Sequence, residues 1–323
     1  MKHNKIIRQL HLLLLLLTLI ISCNENKKGG QTSPVSQTAR LQYLFSTTSV
    51  KGGWRGCDGL QPESCDSIEG LYKAVEESRE DFTALLEDIK EEFSDINPMI
   101  LRRLTLKNPE RTKEKLREDQ RLNDLAGNGG LVYDKATDTY HCRSIRDCDG
   151  ATICVTSLDE IQTLLQYLDK QPYVVRIKNN FATPTASGYS DINMNIKLPK
   201  GVIVELQLNT LANLVAKERY DHVLYEIYRS VASNPSYREL ADIIREAQKA
   251  IFTLSADYSR RGAFPENDGE DDIYAPDYKF QPYADAIRPF VEKAKPLVEK
   301  AIADGIILEA TVKHFNQLLE YIK

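Results

Sequence analysis

The chain has 323 residues, enough for one large or two modest domains with an ample core. Its 42 basic and 47 acidic side chains leave a net charge of -5, which argues against a protein that coats nucleic acid but leaves local basic patches open. With 28% charged and 42% apolar residues, the composition is that of a globular protein.

Lys2, Lys5 and Arg8 precede the run "LHLLLLLLTLII", too short to span a membrane as a mature helix but suited to the apolar region of a signal peptide. The run ends in "LIISC", where the small Ser22 precedes Cys23. This resembles a bacterial lipobox, with cleavage before Cys23 and a lipid on its sulfur. A plain signal peptide with an incidental cysteine is the alternative. Residues 1–22 therefore read as a lipoprotein signal, and 23–41, polar and rich in Gly, Ser and Thr, as a flexible tether. The expected location is the cell envelope, periplasmic or surface-facing, with the membrane contacted through Cys23.

Export makes disulfides possible. Cys57 and Cys65 sit in the loop "GCDGLQPESC" and are the best candidate pair; Cys142, Cys148 and Cys154 lie in or near a strand, with Cys154 expected as a buried thiol. No CxxC occurs and the five histidines are scattered, so a zinc site is not expected.

Residues 42–105 read as a loop followed by helix, with apolar positions at three- and four-residue spacing through 66–100. A second helix starts near Asn108-Pro109, proline being favoured at the first helical position, and stops at the Gly127–Gly130 stretch. Lys107, Arg111 and Lys115 fall at i, i+4 and i+8, so three cations point one way. That stripe suits a solvated face paired with nearby glutamates as well as a phosphate clamp. Then "ATICVTS" reads as a β-branched strand, "LDEIQTLLQYLDK" as an amphipathic helix and "YVVRIKNNF" as another strand. A hairpin follows through Pro199-Lys200-Gly201, and after it a long helix from about Leu211 to Ala232. Residues 236–323 read as helical around an acidic loop, "PENDGEDD". Strand, helix, strand and hairpin imply an α+β, mixed α/β architecture: a mixed sheet flanked by helices, with further helices at both ends.

The hairpin carries the chemistry. Side chains alternate between sheet faces, so Met194, Ile196 and Leu198 share one phase while Asp191, Asn193, Asn195 and Lys197 share the other. After the turn, Glu205, Gln207 and Asn209 alternate with apolar residues. Amides grouped round a single acid suggest a ligand cleft; a bland half-exposed sheet is the other reading. Asp147 and Asp149 share a phase at the entry to a buried strand. Carboxylates from neighbouring strands, Asp147 and Glu205, could hold Mg²⁺, which takes one or two carboxylates together with substrate phosphates.

"RDCDGATICV", "VVRIKNNF", "ATPTASGYSDINMNI", "GVIVELQLNT" and "AKERYDHVLYEIYR" occur in the order seen in RelA/SpoT-like alarmone synthetases. The resemblance covers about Leu104 to Arg229 and is most similar to a divergent group, giving a synthetase domain over 106–235. It implies a nucleotidyltransferase-like sheet and a Mg²⁺-dependent transfer of pyrophosphate from ATP to the 3′-hydroxyl of GDP, GTP or an adenine nucleotide. By that resemblance Asp147 matches the metal aspartate, and Glu205 the second acid, which binds metal or helps activate the 3′-hydroxyl. Tyr189 matches the tyrosine that stacks on the acceptor base, and Lys178 a phosphate-contacting lysine. Lys107, Arg111 and Lys115 resemble the basic helix that holds ATP, while Gln207 and Asn209 fall at acceptor contacts. His222 lies with Glu218, Tyr225 and Arg229 on the helix that backs the cleft, as a structural or acceptor-side histidine. Two positions depart from the pattern: Ser190 stands where an arginine is usual, and Asn179 where an aspartate is. Loss of a guanidinium removes a bidentate phosphate contact, so a catalytically degenerate nucleotide-binding or structural lipoprotein is the rival reading. No His-Asp dipeptide occurs, and no companion hydrolase domain is expected.

Overall fold

The computed structural model describes residues 41–45, 53–126, 131–263 and 280–323. The chain divides into two compact units, Met1–Gln42 and Tyr43–Lys323; of the first only Leu41 and Gln42 are described, in a turn. The signal run, Cys23, the glycine stretch at 127–130 and the acidic loop lie outside the described residues.

In the second unit, α1 (Ile68–Glu77) is capped by the Ser67 side chain, which accepts from the Gly70 amide. The long helical pattern expected over 66–100 is broken at the fully buried Ser78, whose hydroxyl donates back to the Ala74 carbonyl, and helix resumes as α2 (Arg79–Glu92). Asn97, at φ +50, turns the chain into a strand that the helical reading missed, β1 (Met99–Arg102). Pro109 heads α3 (Pro109–Ala126), as its position suggested. A small hairpin, β2 (Tyr133–Asp134) and β3 (Thr139–Tyr140), precedes β4 (Gly150–Val155). Next come α4 (Leu158–Leu168), opened by a capping box between Ser157 and Glu160, then β5 (Val174–Asn179), β6 (Ile192–Lys197) and β7 (Ile203–Thr210).

The described strands form a mixed sheet in the order β1-β4-β7-β6-β5, parallel only between β4 and β7. This is the α+β architecture expected. Gly150 makes the parallel contact possible, because a Cβ there would stand 3.1 Å from the Glu205 carbonyl oxygen. Register places Glu205 between Asn195 and Gly150, and Gln207 between Asn193 and Thr152. Ile153, Met194, Leu206 and Leu208 turn to the opposite face, where the leucines and Ile161 of α4 are buried beside them. Fully burying each such side chain contributes about 1.5–3 kcal/mol.

The polar face is covered at one end by the C-terminal helices. The long helix expected after β7 is present but not uniform: α5 (Leu211–Val215) widens into a π-helical segment, Ala216–Asp221, before α6 (His222–Val231). Such widenings often mark functional sites. α7 (Arg238–Arg261), α8 (Gln281–Ala303) and α9 (Glu309–Tyr321) complete the layer, and their core includes Phe252, Tyr283, Val291 and Phe315 together with Cys154 from β4. No described helix is long and apolar enough to cross a membrane.

The expected Cys57–Cys65 bridge is absent: both are free thiols, as are Cys142, Cys148 and Cys154. Cys65 is fully buried at the end of a short 3-10 turn, whereas Cys57 is only half-buried in the preceding loop. Cys154 is a buried thiol, and burial pushes it well up.

Candidate functional site

Two polar clefts flank the N-terminal end of β4. The first, of about 740 Å³, lies between α3 and α6 and is lined by Lys107, Arg111, Lys115, Asp147, His222, Tyr225 and Arg229, with four further acids. Pro109 starts α3 just beyond Lys107, and the Lys107 carbonyl is held by the Tyr72 hydroxyl at 2.7 Å. Lys107 Nζ and Lys115 Nζ converge on the Asp147 carboxylate at 2.8 and 3.2 Å. Burial pushes the Asp147 carboxyl up, but the two lysines outweigh it and hold it below the usual carboxylate range. Arg111 stands on the rim, paired with Glu114 at 3.3 Å. Of the expected basic stripe, two cations meet the expected metal aspartate and one faces outward.

The second cleft, of about 460 Å³, is lined by Arg102, Arg103, Gly150, Thr152, Glu205, Gln207 and the π-helical Lys217, Glu218 and Arg219. Glu205 accepts from Asn193 Nδ2 at 2.5 Å and from Gln207 Nε2 at 3.2 Å, so the amides of the polar phase orient its carboxylate. Lys178 is exposed on the edge strand β5, opposite Asn193. Asp149, the other acid at the strand entry, is buried and tied to Arg102 at 2.7 Å, with Arg79 at 3.6 Å. It anchors β1 to the sheet.

Tyr189 and Asn209 are not among the residues that line the second cleft. Tyr189 packs edge-on against Phe252, with ring centroids 5.4 Å apart, and Lys217 Nζ lies 5.8 Å from its ring. Its hydroxyl donates to Asp191 Oδ2 at 3.0 Å and accepts from Asn209 Nδ2 at 3.3 Å. Burial, then Asp191, pushes the Tyr189 phenol well up, so it keeps its proton. Asn209 is fully buried, and its Oδ1 accepts from Asn213 Nδ2 at 2.7 Å. The two departing residues are structural as well: Asn179 donates to the Leu44 carbonyl and caps the turn at Phe181 and Ala182, and Ser190 bonds the Gly188 carbonyl.

Several charged residues at the clefts escaped the sequence reading. Arg102 ends β1 and Arg103 follows it, and the run "MILRR" holds no polar–apolar alternation that would have marked them. Arg146 and Arg176 both lie over Trp54, at 4.5 and 5.2 Å, joining the N-terminal loop to the approach to Asp147.

Mg²⁺ suits this donor chemistry in type, since it needs few carboxylates and completes its shell with water and phosphate oxygens. Glu205 sits opposite Gly150, three residues after Asp147. Among the described residues no ready group of three acidic, histidine or cysteine ligands exists, and Asp147 holds lysines. Phosphates entering the first cleft would compete for those lysines and free the carboxylate.

No protein-family model matches the chain, and no curated protein matches it. Among solved structures, the small alarmone synthetase 1 from Bacillus subtilis bound to its product pppGpp is 19% identical, with a TM-score of 0.39 over 59% of this chain and 93% of that one. The Type VI effector Tas1, in complex with its immunity protein, is 19% identical with a TM-score of 0.43, covering 59% of this chain and 96% of that one. A GTP pyrophosphokinase family protein from Streptococcus pneumoniae is 18% identical with a TM-score of 0.35, covering 60% and 90%. Scores and identities this low carry nothing about the chemistry of this chain.

Proposed function

We propose that the protein is a Mg²⁺-dependent nucleotide pyrophosphokinase. The observation that carries the reading is the pairing of the two clefts across one strand contact. Asp147 with its lysines lines one cleft, the amide-held Glu205 lines the other, and Gly150 opposite Glu205 joins them. The ordered segments shared with RelA/SpoT-like synthetases support it.

Lys107, Lys115 and, from the rim, Arg111 hold the ATP phosphates by charge. Asp147 and Glu205 would hold the metal, which when bound neutralises charge building on the phosphates. The acceptor lies in the second cleft with its 3′-hydroxyl toward Glu205. That oxygen attacks the β-phosphorus of ATP, the bond between the β-phosphorus and the α–β bridging oxygen breaks, and AMP leaves. The hydroxyl proton passes to Glu205, which Asn193 and Gln207 keep aimed at it. Lys217 and Arg219 border the same cleft and suit the acceptor's own phosphates. An acceptor that is a guanine nucleotide, an adenine nucleotide or an RNA 3′-end fits the scheme equally.

The N-terminal sequence supports attachment to the envelope through Cys23. ATP is scarce outside the cytoplasm, so a toxin or effector that consumes nucleotides after entering another cell reconciles location with activity. A second reading, a fold that binds nucleotides without transfer, is favoured by the structural use of Asn179, Ser190, Tyr189 and Asn209. The deciding experiment incubates the full chain with γ-labelled ATP, Mg²⁺ and GDP, GTP, AMP, ADP or tRNA in turn. Label on an acceptor, lost in Glu205→Gln, supports transfer. ATP binding without transfer to any acceptor supports the second reading.

A further inference from the structure

The donor cleft contains one aromatic residue that the fold does not use. Tyr225 on α6 is 49% exposed. Among the described residues no hydrogen bond or ring contact engages it. The neighbouring tyrosines are all committed: Tyr220 is buried and bonds the Phe280 backbone, and Tyr228 lies under Arg245 at 3.9 Å. Its ring lines the same cleft as Lys107, Lys115 and Asp147, where an aromatic face is open to a planar ligand.

The lysines of the cleft converge at one place. Lys107 and Lys115 gather at Asp147, at the start of α3. Farther along α3 stands Glu118, whose carboxyl is held low by Arg121 first and by the charge of Arg229 as well. Glu226, one residue after Tyr225, accepts from His314 at 3.3 Å. Phosphates are drawn to the two lysines, whereas Glu118 and Glu226 already face Arg121 and His314.

We infer that Tyr225 is the platform on which the base of a purine nucleoside triphosphate stacks, with its phosphates on Lys107 and Lys115. This rests on the donor reading of the cleft given above and adds the residue that fixes the direction of the ligand. Base–aromatic stacking is sequence-tolerant because every base has a π-face, so Tyr225 contributes affinity and the lysines fix where the phosphates lie.

The test is titration calorimetry of the full chain with ATP and, separately, with inorganic tripolyphosphate, for wild type, Tyr225→Ala and Tyr225→Phe. The expected result is a loss of about 5- to 150-fold in ATP affinity for Tyr225→Ala. Tyr225→Phe keeps near-wild-type affinity, and tripolyphosphate binds all three alike. Equal ATP binding by wild type and Tyr225→Ala overturns the platform while leaving the donor reading intact. A loss of tripolyphosphate binding in Tyr225→Ala also overturns it, because a stacking ring does not touch phosphates. If wild type binds neither compound, the donor reading falls and takes the inference with it.

Discussion

Asp221 offers a test of the π-helical segment that joins the two clefts. It is 8% exposed, and its Oδ1 accepts from Gln248 Nε2 at 2.7 Å, while Gln248 Oε1 is buried without a hydrogen-bond partner. Burial pushes its carboxyl from 3.8 to about 6, against the lowering effects of Gln248, Lys217 and Arg245. A carboxyl raised on folding binds its proton more tightly in the folded chain. The resulting stability is complete below pH about 4 and is lost as pH rises through about 6. A shift from 3.8 to about 6 corresponds to about 3 kcal/mol for holding the anion at pH 8, about half of that at pH 5, and little at pH 4. Asp221→Asn removes the charge, and its new amide can donate to Gln248 Oε1. It should therefore raise stability by about 1–3 kcal/mol at pH 8 and progressively less toward pH 4. Urea unfolding followed by circular dichroism from pH 4.5 to 8.5 measures the difference. An Asp221→Asn variant less stable than wild type at pH 8, or a difference that does not change with pH, refutes the reasoning.

Asn209→Ala should cost about 2–4 kcal/mol in urea unfolding, because it strips a buried amide from Tyr189 and Asn213. GDP and GTP affinity of the folded variant should be unchanged; a loss of acceptor binding without loss of stability would return Asn209 to the ligand contacts. Gly59 sits at φ +74, and a Cβ there would lie 2.0 Å from the Trp54 ring. Gly59→Ala should displace the chain's one tryptophan, giving a red-shifted emission and a loss of about 1–3 kcal/mol; an unchanged spectrum contradicts the packing. Metabolic labelling with a palmitate analogue should mark the wild-type chain and not Cys23→Ser, and label independent of Cys23 would remove the lipid anchor from the account.

The sheet was legible from the apolar, β-branched runs of β4 and β5, which are buried for most of their length, and from the alternation of polar and apolar residues in the β6–β7 hairpin. β1 was not, since a four-residue edge strand of half-buried residues has too little pattern to compete with the helical run before it. The polar phase of the hairpin was correctly seen as one face, but sequence could not divide it. Asn193 and Gln207 orient Glu205, whereas Asn209, only two positions on, is buried and bonds the half-buried Tyr189. Which end of a strand a later helix covers is a tertiary fact with no local signal. The convergence of Lys107 and Lys115 on Asp147 was hidden for the same reason, as the partners lie 40 and 32 residues apart. The cysteine pairing failed because a loop rich in Gly and Pro says nothing of whether one thiol will be buried away from the other.

The two clefts, in this mechanism, act together to move a pyrophosphoryl group. Mass spectrometry of a reaction of the full chain with ATP, Mg²⁺ and each acceptor tests it most directly. AMP should be released in equal amount to an acceptor that has gained a pyrophosphoryl group at its 3′-oxygen. A fall of at least about 100-fold is expected for Glu205→Gln. Release of ADP and phosphate alone, or a Glu205→Gln variant as active as wild type, would contradict it.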